Sequence, residues 1–116
     1  MEHAARGARS AGGLTVGLLP GDDPRDANPF IEIAIATGIG HGRNAILAGT
    51  ADGVVAVGGG LGTLSEVALA LRNGRPTIGI ATWRFDRERR TEPELPVAAS
   101  AEEALDWLFA RLGPEP

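Results

Sequence analysis

The 116-residue chain has no cysteine and no tyrosine, a single methionine, and only 4% aromatic residues. Without cysteine there is no disulfide and no thiol nucleophile, a composition that fits a cytoplasmic protein. No apolar run approaches the ~20 residues of a membrane-spanning helix, and the first residues carry no apolar core of the signal-peptide kind. Basic residues are in the minority, 11 against 15 acidic, so the net charge is -4. That balance argues against non-specific binding to nucleic acid. The absence of tyrosine beside abundant Ala, Arg, Gly and Pro is the mark of GC-rich coding and carries no functional information.

What remains is ordinary for a globular chain, 43% hydrophobic and 22% charged, and the length fits one domain over residues 1–116. Strand and helix signals alternate. Residues 2–11 are alanine-rich and charged and read as a helix ended by Gly12-Gly13. Leu14 to Leu19 reads as a strand, residues 20–29 as loop, and Phe30, Ile31, Ile33 and Ile35 as a second, shorter strand. A helix over about His41 to Thr50 follows Thr37-Gly38-Ile39-Gly40. Beyond the central stretch, Thr77 to Ala81 is a buried strand, residues 82–94 a mobile connection, and Leu95 to Ala98 a short last strand. Ser100-Ala101-Glu102-Glu103 is a capping box opening a final helix, with Ala101, Ala104, Leu105, Leu108 and Leu112 as its apolar stripe. This order predicts an α/β fold, Rossmann-like, with a doubly wound and mostly parallel sheet.

The most informative stretch is Val54 to Pro76, VVAVGGGLGTLSEVALALRNGRP. Four apolar residues suit a strand buried on both faces. Three glycines follow, then Leu61, Gly62 and Thr63, and a helix from about Leu64 to Asn73 with Gly74 at its C-cap. Glycines at the end of a parallel strand let the backbone approach a ligand closely. The unpaired N–H groups opening the helix, with the helix dipole behind them, favour an anion. Gly58, Gly59, Gly60, Gly62 and Thr63 therefore form a candidate phosphate cradle. Glu66, one turn on, projects on the face of Thr63 and must serve a part of the ligand other than phosphate. The plainer reading is a glycine turn with a solvated acid in the first helical turn. Leu64, Val67, Ala68 and Leu71 form one apolar face of the helix, and Leu69 and Ala70 cover much of the rest. A helix apolar on most sides needs a second partner besides the sheet, which predicts a homodimer packed through this region.

Gly59-Gly60-Leu61-Gly62-Thr63-Leu64-Ser65-Glu66 resembles the GGxGTxxE motif of the LONELY GUY (LOG) phosphoribohydrolases, the lysine-decarboxylase-like group. Related Rossmann-like proteins share the motif, among them the molybdenum-cofactor carrier proteins. The chain departs from the LOG pattern at Gly58, where those enzymes have Pro, and at Asn44, where they have Lys after Arg. Both departures move it toward the carrier-like branch. The resemblance implies hydrolysis of the N-glycosidic bond of a nucleoside 5'-monophosphate such as AMP, with no metal and no redox cofactor. Gly59, Gly60, Gly62 and Thr63 would hold the phosphate, Glu66 the ribosyl centre or a water, and Arg43 the base. The alternative it implies is a non-catalytic carrier of a nucleotide or a pterin-type phosphate. It also implies dimers built on these helices, and a strand-helix-strand unit of roughly 30 or more residues before the position matched by Met1-Glu2. The expectation is that this chain lacks that unit, a misplaced start codon being the simplest cause.

A second constellation is Thr37-Gly38-Ile39-Gly40-His41-Gly42-Arg43-Asn44, polar residues among glycines at a helix start, again an anion-site pattern. Gly38 is its turn residue. Arg43 matches the LOG arginine that precedes the phosphate motif, the alternative being a surface ion pair. His41 reads equally as a cap, and Asn44 as a partner of base or ribose. Asp22, Asp23 and Asp26 read as turn residues bonding their own backbone rather than as a metal site. Arg84, Arg87, Arg89 and Arg90 read as solvated charges, or as a lid over the ligand. Trp83 and Trp107 read as packing residues rather than as a base-stacking platform.

Overall fold

In the computed structural model, described over residues 1–85 and 94–114, the chain divides into two compact units, Met1–Arg43 and Asn44–Pro116. The architecture is α/β, and all the strand pairs among the described residues are parallel. Among the described residues, four α-helices and five strands follow one another in the order the sequence predicts, with two strands in succession both early and late in the chain.

The first unit opens with α1 (Glu2–Ser10), whose single buried residue is Ala5. Gly12 follows at φ 84, a left-handed turn that glycine adopts without steric cost. Strand β1 (Val16–Leu19) pairs with β2 (Ile33–Ala36) in the register Val16↔Ile33 to Leu19↔Ala36. Both strands are shorter than expected, and Phe30 and Ile31 lie ahead of β2 rather than in it. Buried Thr15 explains the entry: its hydroxyl donates to the Phe30 carbonyl and accepts from the Glu32 N–H, which locks the two strand starts together. The loop over residues 20–29 contains one 3₁₀ turn, Pro24–Asp26, capped by Asp23, which accepts from the Arg25 N–H at 2.9 Å.

The second unit holds α2 (from Asn44; the helix spans Arg43–Thr50), β3 (Val54–Val57), α3 (Leu61–Arg72), β4 (Thr77–Ile80), β5 (Val97–Ala98) and α4 (Ala101–Leu112). Its sheet runs β3-β4-β5 with β4 central. Ile78, Ala98 and Ala104 form the core, with Val55, Ile80 and Trp107 packed against it. Leu108 of α4 reaches the backbone of Gly53, where a Cβ would stand only 2.5 Å from its Cδ1. A side chain at Gly53 would force Leu108 to shift from this seat.

Several expectations are corrected in this unit. β3 is not buried on both faces: Ala56 is buried, but Val57 is 56% exposed. The helix after the glycines begins at Leu61 rather than Leu64, with Gly60 as its N-cap. Gly62 and Thr63 are thus in its first turn. On α3 the buried residues are Val67 and Ala70, three positions apart on one face; Ala68 is exposed and Leu64 and Leu71 are half-buried. In α4, Ala104 and Leu108 carry the burial while Leu105 and Leu112 stay exposed.

The C-terminus of α3 and the N-terminus of α4 follow their sequence signals closely. Gly74, at φ 71, donates its N–H to Leu71, and Arg75 donates to Ala70, the paired bonds of a Schellman stop. Ser100 accepts from the Glu103 N–H at 3.1 Å, as a capping box requires. The return bond differs by one residue, Glu103 accepting from Ala99 rather than from the cap itself.

Candidate functional site

The glycine turn sits at the carboxyl end of β3, the end at which parallel α/β sheets bind ligands. Gly58 at φ 65 and Gly59 at φ 150 occupy the left-handed side of backbone space, which L side chains rarely adopt. The Gly58 N–H donates to the Ile80 carbonyl at 3.0 Å, continuing the β3–β4 pairing one step past the strands. The chain then turns through Gly60, extended at φ -87 and ψ -166, into α3.

No side chain caps α3. The N–H groups of Leu61, Gly62 and Thr63 precede the first possible i to i−4 partner, since the first such bond runs from Leu64 to Gly60. Among the described residues, apart from chain neighbours and the helix's own backbone, nothing lies within 4 Å of where a Cβ would stand on Gly58, Gly60 or Gly62. The result is an open backbone surface at the positive end of a twelve-residue helix, suited to a phosphate. Thr63 and Glu66 are both half-buried, three apart on the same helix. Because α3 starts early, Thr63 offers a first-turn N–H as well as its hydroxyl.

Thr82 and Trp83 were not expected at this site. Immediately after β4 the chain turns at Ala81, a non-glycine residue at φ 47. Beyond that turn the Trp83 indole N–H donates to the Gly60 carbonyl at 3.1 Å. A Cβ on Gly59 would meet Thr82 Oγ1 at 3.0 Å and Trp83 Nε1 at 3.1 Å. Gly59 is therefore required for these two side chains to lie on the turn. One sequence signal could have found them: they directly follow a buried parallel strand, at its ligand-binding end.

The Thr37–Arg43 constellation belongs to the first unit. Thr37 donates both its N–H and its hydroxyl to the Leu19 carbonyl, Gly38 donates to Gly21 at 2.8 Å, and Gly40 donates to Pro20 at 2.9 Å. The loops after β1 and β2 are thereby zipped together. Gly38 and Gly40 have φ values of 66 and 58. His41 lies in a 3₁₀ turn, Gly40–Gly42, rather than in the α-helix, and is exposed. Arg43 opens α2 and is half-buried; Asn44 is 2% exposed and belongs to the second unit. Of the lid candidates, Arg84 is exposed, while Arg87, Arg89 and Arg90 lie outside the described residues. Trp107 packs on the core as expected, with the Arg111 guanidinium 3.8 Å from its ring centroid.

The family model for SLOG cluster4 matches residues 1–105. The chain belongs to the SLOG cluster4 family. One relative in that range of similarity, an uncharacterised protein of Archaeoglobus fulgidus, is 48% identical over 75 residues. That match covers 65% of this chain and 49% of the relative, so the chain spans about half the length of the curated relative it matches. Among solved structures, this SLOG cluster4 chain is similar to the molybdenum cofactor binding protein of Rippkaea orientalis. The two share 38% identity at a TM-score of 0.84, covering 97% of this chain and 71% of that one. It is also similar to the molybdenum cofactor carrier protein of Chlamydomonas reinhardtii, with 34% identity, a TM-score of 0.73, and coverage of 94% and 68%.

Proposed function

We propose that this protein binds and carries a small phosphorylated ligand, of the pterin-cofactor or nucleotide class, with its phosphate on the Gly58–Thr63 turn. The observation that carries the reading is the open turn itself: the N–H groups of Leu61, Gly62 and Thr63 lack intrahelical partners, and among the described residues no side chain lies within 4 Å of a Cβ position on Gly58, Gly60 or Gly62. The similarity to two molybdenum-cofactor proteins supports a pterin-type phosphate as the cargo. Thr63 contributes a hydroxyl, and Glu66 accepts from a ligand group beyond the phosphate, such as a ring N–H or a sugar hydroxyl. On the same unit, Asn44 is assigned to the remainder of the ligand.

Hydrolysis is the second reading, favoured by the one-turn spacing of Thr63 and Glu66. In that case Glu66 would stabilise the ribosyl cation or activate water, and AMP would release free base and ribose 5-phosphate. Gly58 and Asn44, at positions where the LOG motif has Pro and Lys, favour the carrier.

One experiment separates the two. The purified chain is titrated calorimetrically with AMP and with a pterin monophosphate, and the same mixtures are assayed for released base. The carrier reading expects binding without release, and binding retained in Glu66→Ala. Base release that vanishes in Glu66→Ala would overturn it in favour of the hydrolase.

A further inference from the structure

We infer that Trp83 is the ring-stacking residue of this site, selecting ligands in which a flat heteroaromatic ring accompanies the phosphate. The inference rests on reading the glycine turn as the phosphate site.

Four observations on the segment after β4 carry it. Ala81 holds a left-handed conformation, φ 47, that costs a non-glycine residue stability and persists only where its surroundings enforce it. The Thr82 methyl occupies the space a Cβ on Gly79 would need, so a glycine is spent inside the central strand to seat the turn. Thr82 Oγ1 is buried without a hydrogen-bond partner among the described residues, a further cost carried by the same three residues. What these costs secure is the position of Trp83, whose N–H is fixed on the carbonyl of Gly60, the N-cap of the phosphate-binding helix.

An indole placed for packing alone would be covered. Trp83 instead retains 36% exposure while its nitrogen is tethered, and Phe85, two residues on, is 41% exposed. A tethered indole with accessible ring surface is a rigid stacking platform, since both side-chain torsions are already set. Its anchor is the residue directly before Leu61, Gly62 and Thr63, the amides assigned to phosphate. A single ligand can therefore engage the amides with its phosphate and the indole with its ring. Bicyclic purines and pterins meet that requirement, and a bare sugar phosphate does not.

The test compares AMP, a pterin monophosphate and ribose 5-phosphate by calorimetry on the wild type, Trp83→Leu and Trp83→Phe. The wild type should bind both ring-bearing probes more tightly than ribose 5-phosphate. Trp83→Leu should weaken the ring-bearing probes by about tenfold or more, the usual effect of losing one stacked aromatic, and leave ribose 5-phosphate unchanged. Trp83→Phe, which keeps a ring but loses the N–H, should retain most of the preference. If Trp83→Leu weakens all three probes alike, Trp83 only braces the turn and the inference fails. If the wild type binds ribose 5-phosphate as tightly as AMP, ring selection fails while the phosphate site stands. A wild type that binds none of the three overturns the phosphate reading and the stacking role with it.

Discussion

At the scale of single residues, Gly59 is the least replaceable position of the turn. Its φ of 150 strains any side chain, and Thr82 Oγ1 and Trp83 Nε1 would have to give way to one. Gly59→Val should lower stability by about 1–3 kcal/mol and abolish phosphate binding; a denaturant melt and a calorimetric titration check the two effects separately. Gly62→Ala, in open space within the helix, should instead be tolerated in the melt. The glycine turn before a helix was legible in the sequence, because a run of glycines between an apolar run and an amphipathic segment breaks both. The partnership of Gly59 with Thr82 and Trp83 was not, since nothing in a one-dimensional pattern records which side chain folds back onto a turn. Asp23 offers a pH prediction. The Arg25 guanidinium, and after it the Arg25 backbone N–H, hold its carboxyl below the ordinary aspartate value. A depressed folded-state pKa means the Asp23 contribution is present above the ordinary aspartate range and is lost as pH falls through the folded-state value. An NMR titration should find the Asp23 midpoint below that of a model peptide, and Arg25→Ala should return it.

At the scale of elements, the informative comparison is between the two ends of α3. Its C-terminus was readable, because Asn73-Gly74 followed by Pro76 is a stop signal with a single mechanism. Its N-terminus was not, and the expected start fell three residues late. Gly62 has poor helix propensity, which argued for loop, but once Gly60 turns the chain the helical bonds of Leu64 onward recruit the residues before them. This shift turns Gly62 and Thr63 from loop donors into first-turn donors and so sharpens the candidate anion site. The last helix makes a direct test of local signals. Ser100→Ala removes the acceptor of the Glu103 N–H and should cost about 1 kcal/mol. In the core, Ile78→Ala removes a side chain that is 3% exposed on the central strand and should cost about 2–5 kcal/mol. Urea unfolding of both variants gives the comparison, and a larger loss from the cap than from the core would contradict the packing described here.

At the scale of the whole molecule, the alternating order of strands and helices was legible because a buried parallel sheet writes short apolar runs between amphipathic segments. The division into two compact units was not, since the chain between Gly42 and Ala45 carries no linker composition. Association is likewise argued from surfaces. Leu61 is 76% exposed and Phe109 63% exposed, and Ala68 lies uncovered on α3. Apolar exposure of this kind supports the homodimer proposed from the sequence. Sedimentation velocity should find a dimer for the wild type and a monomer for Ala68→Arg; an unchanged distribution would exclude α3 from the contact.

The seat of Leu108 on Gly53 has a consequence for how the protein is made. α4 packs on all three strands of the second unit, yet it is encoded after every one of them. A ribosome that has released the glycine turn and β4 has not yet supplied the helix that closes the sheet. Such distant pairings are slow to form and leave apolar strands uncovered meanwhile. The glycine turn therefore acquires its final rigidity only once α4 has emerged and packed, and a nascent chain halted before Ser100 should stay open to protease throughout the second unit.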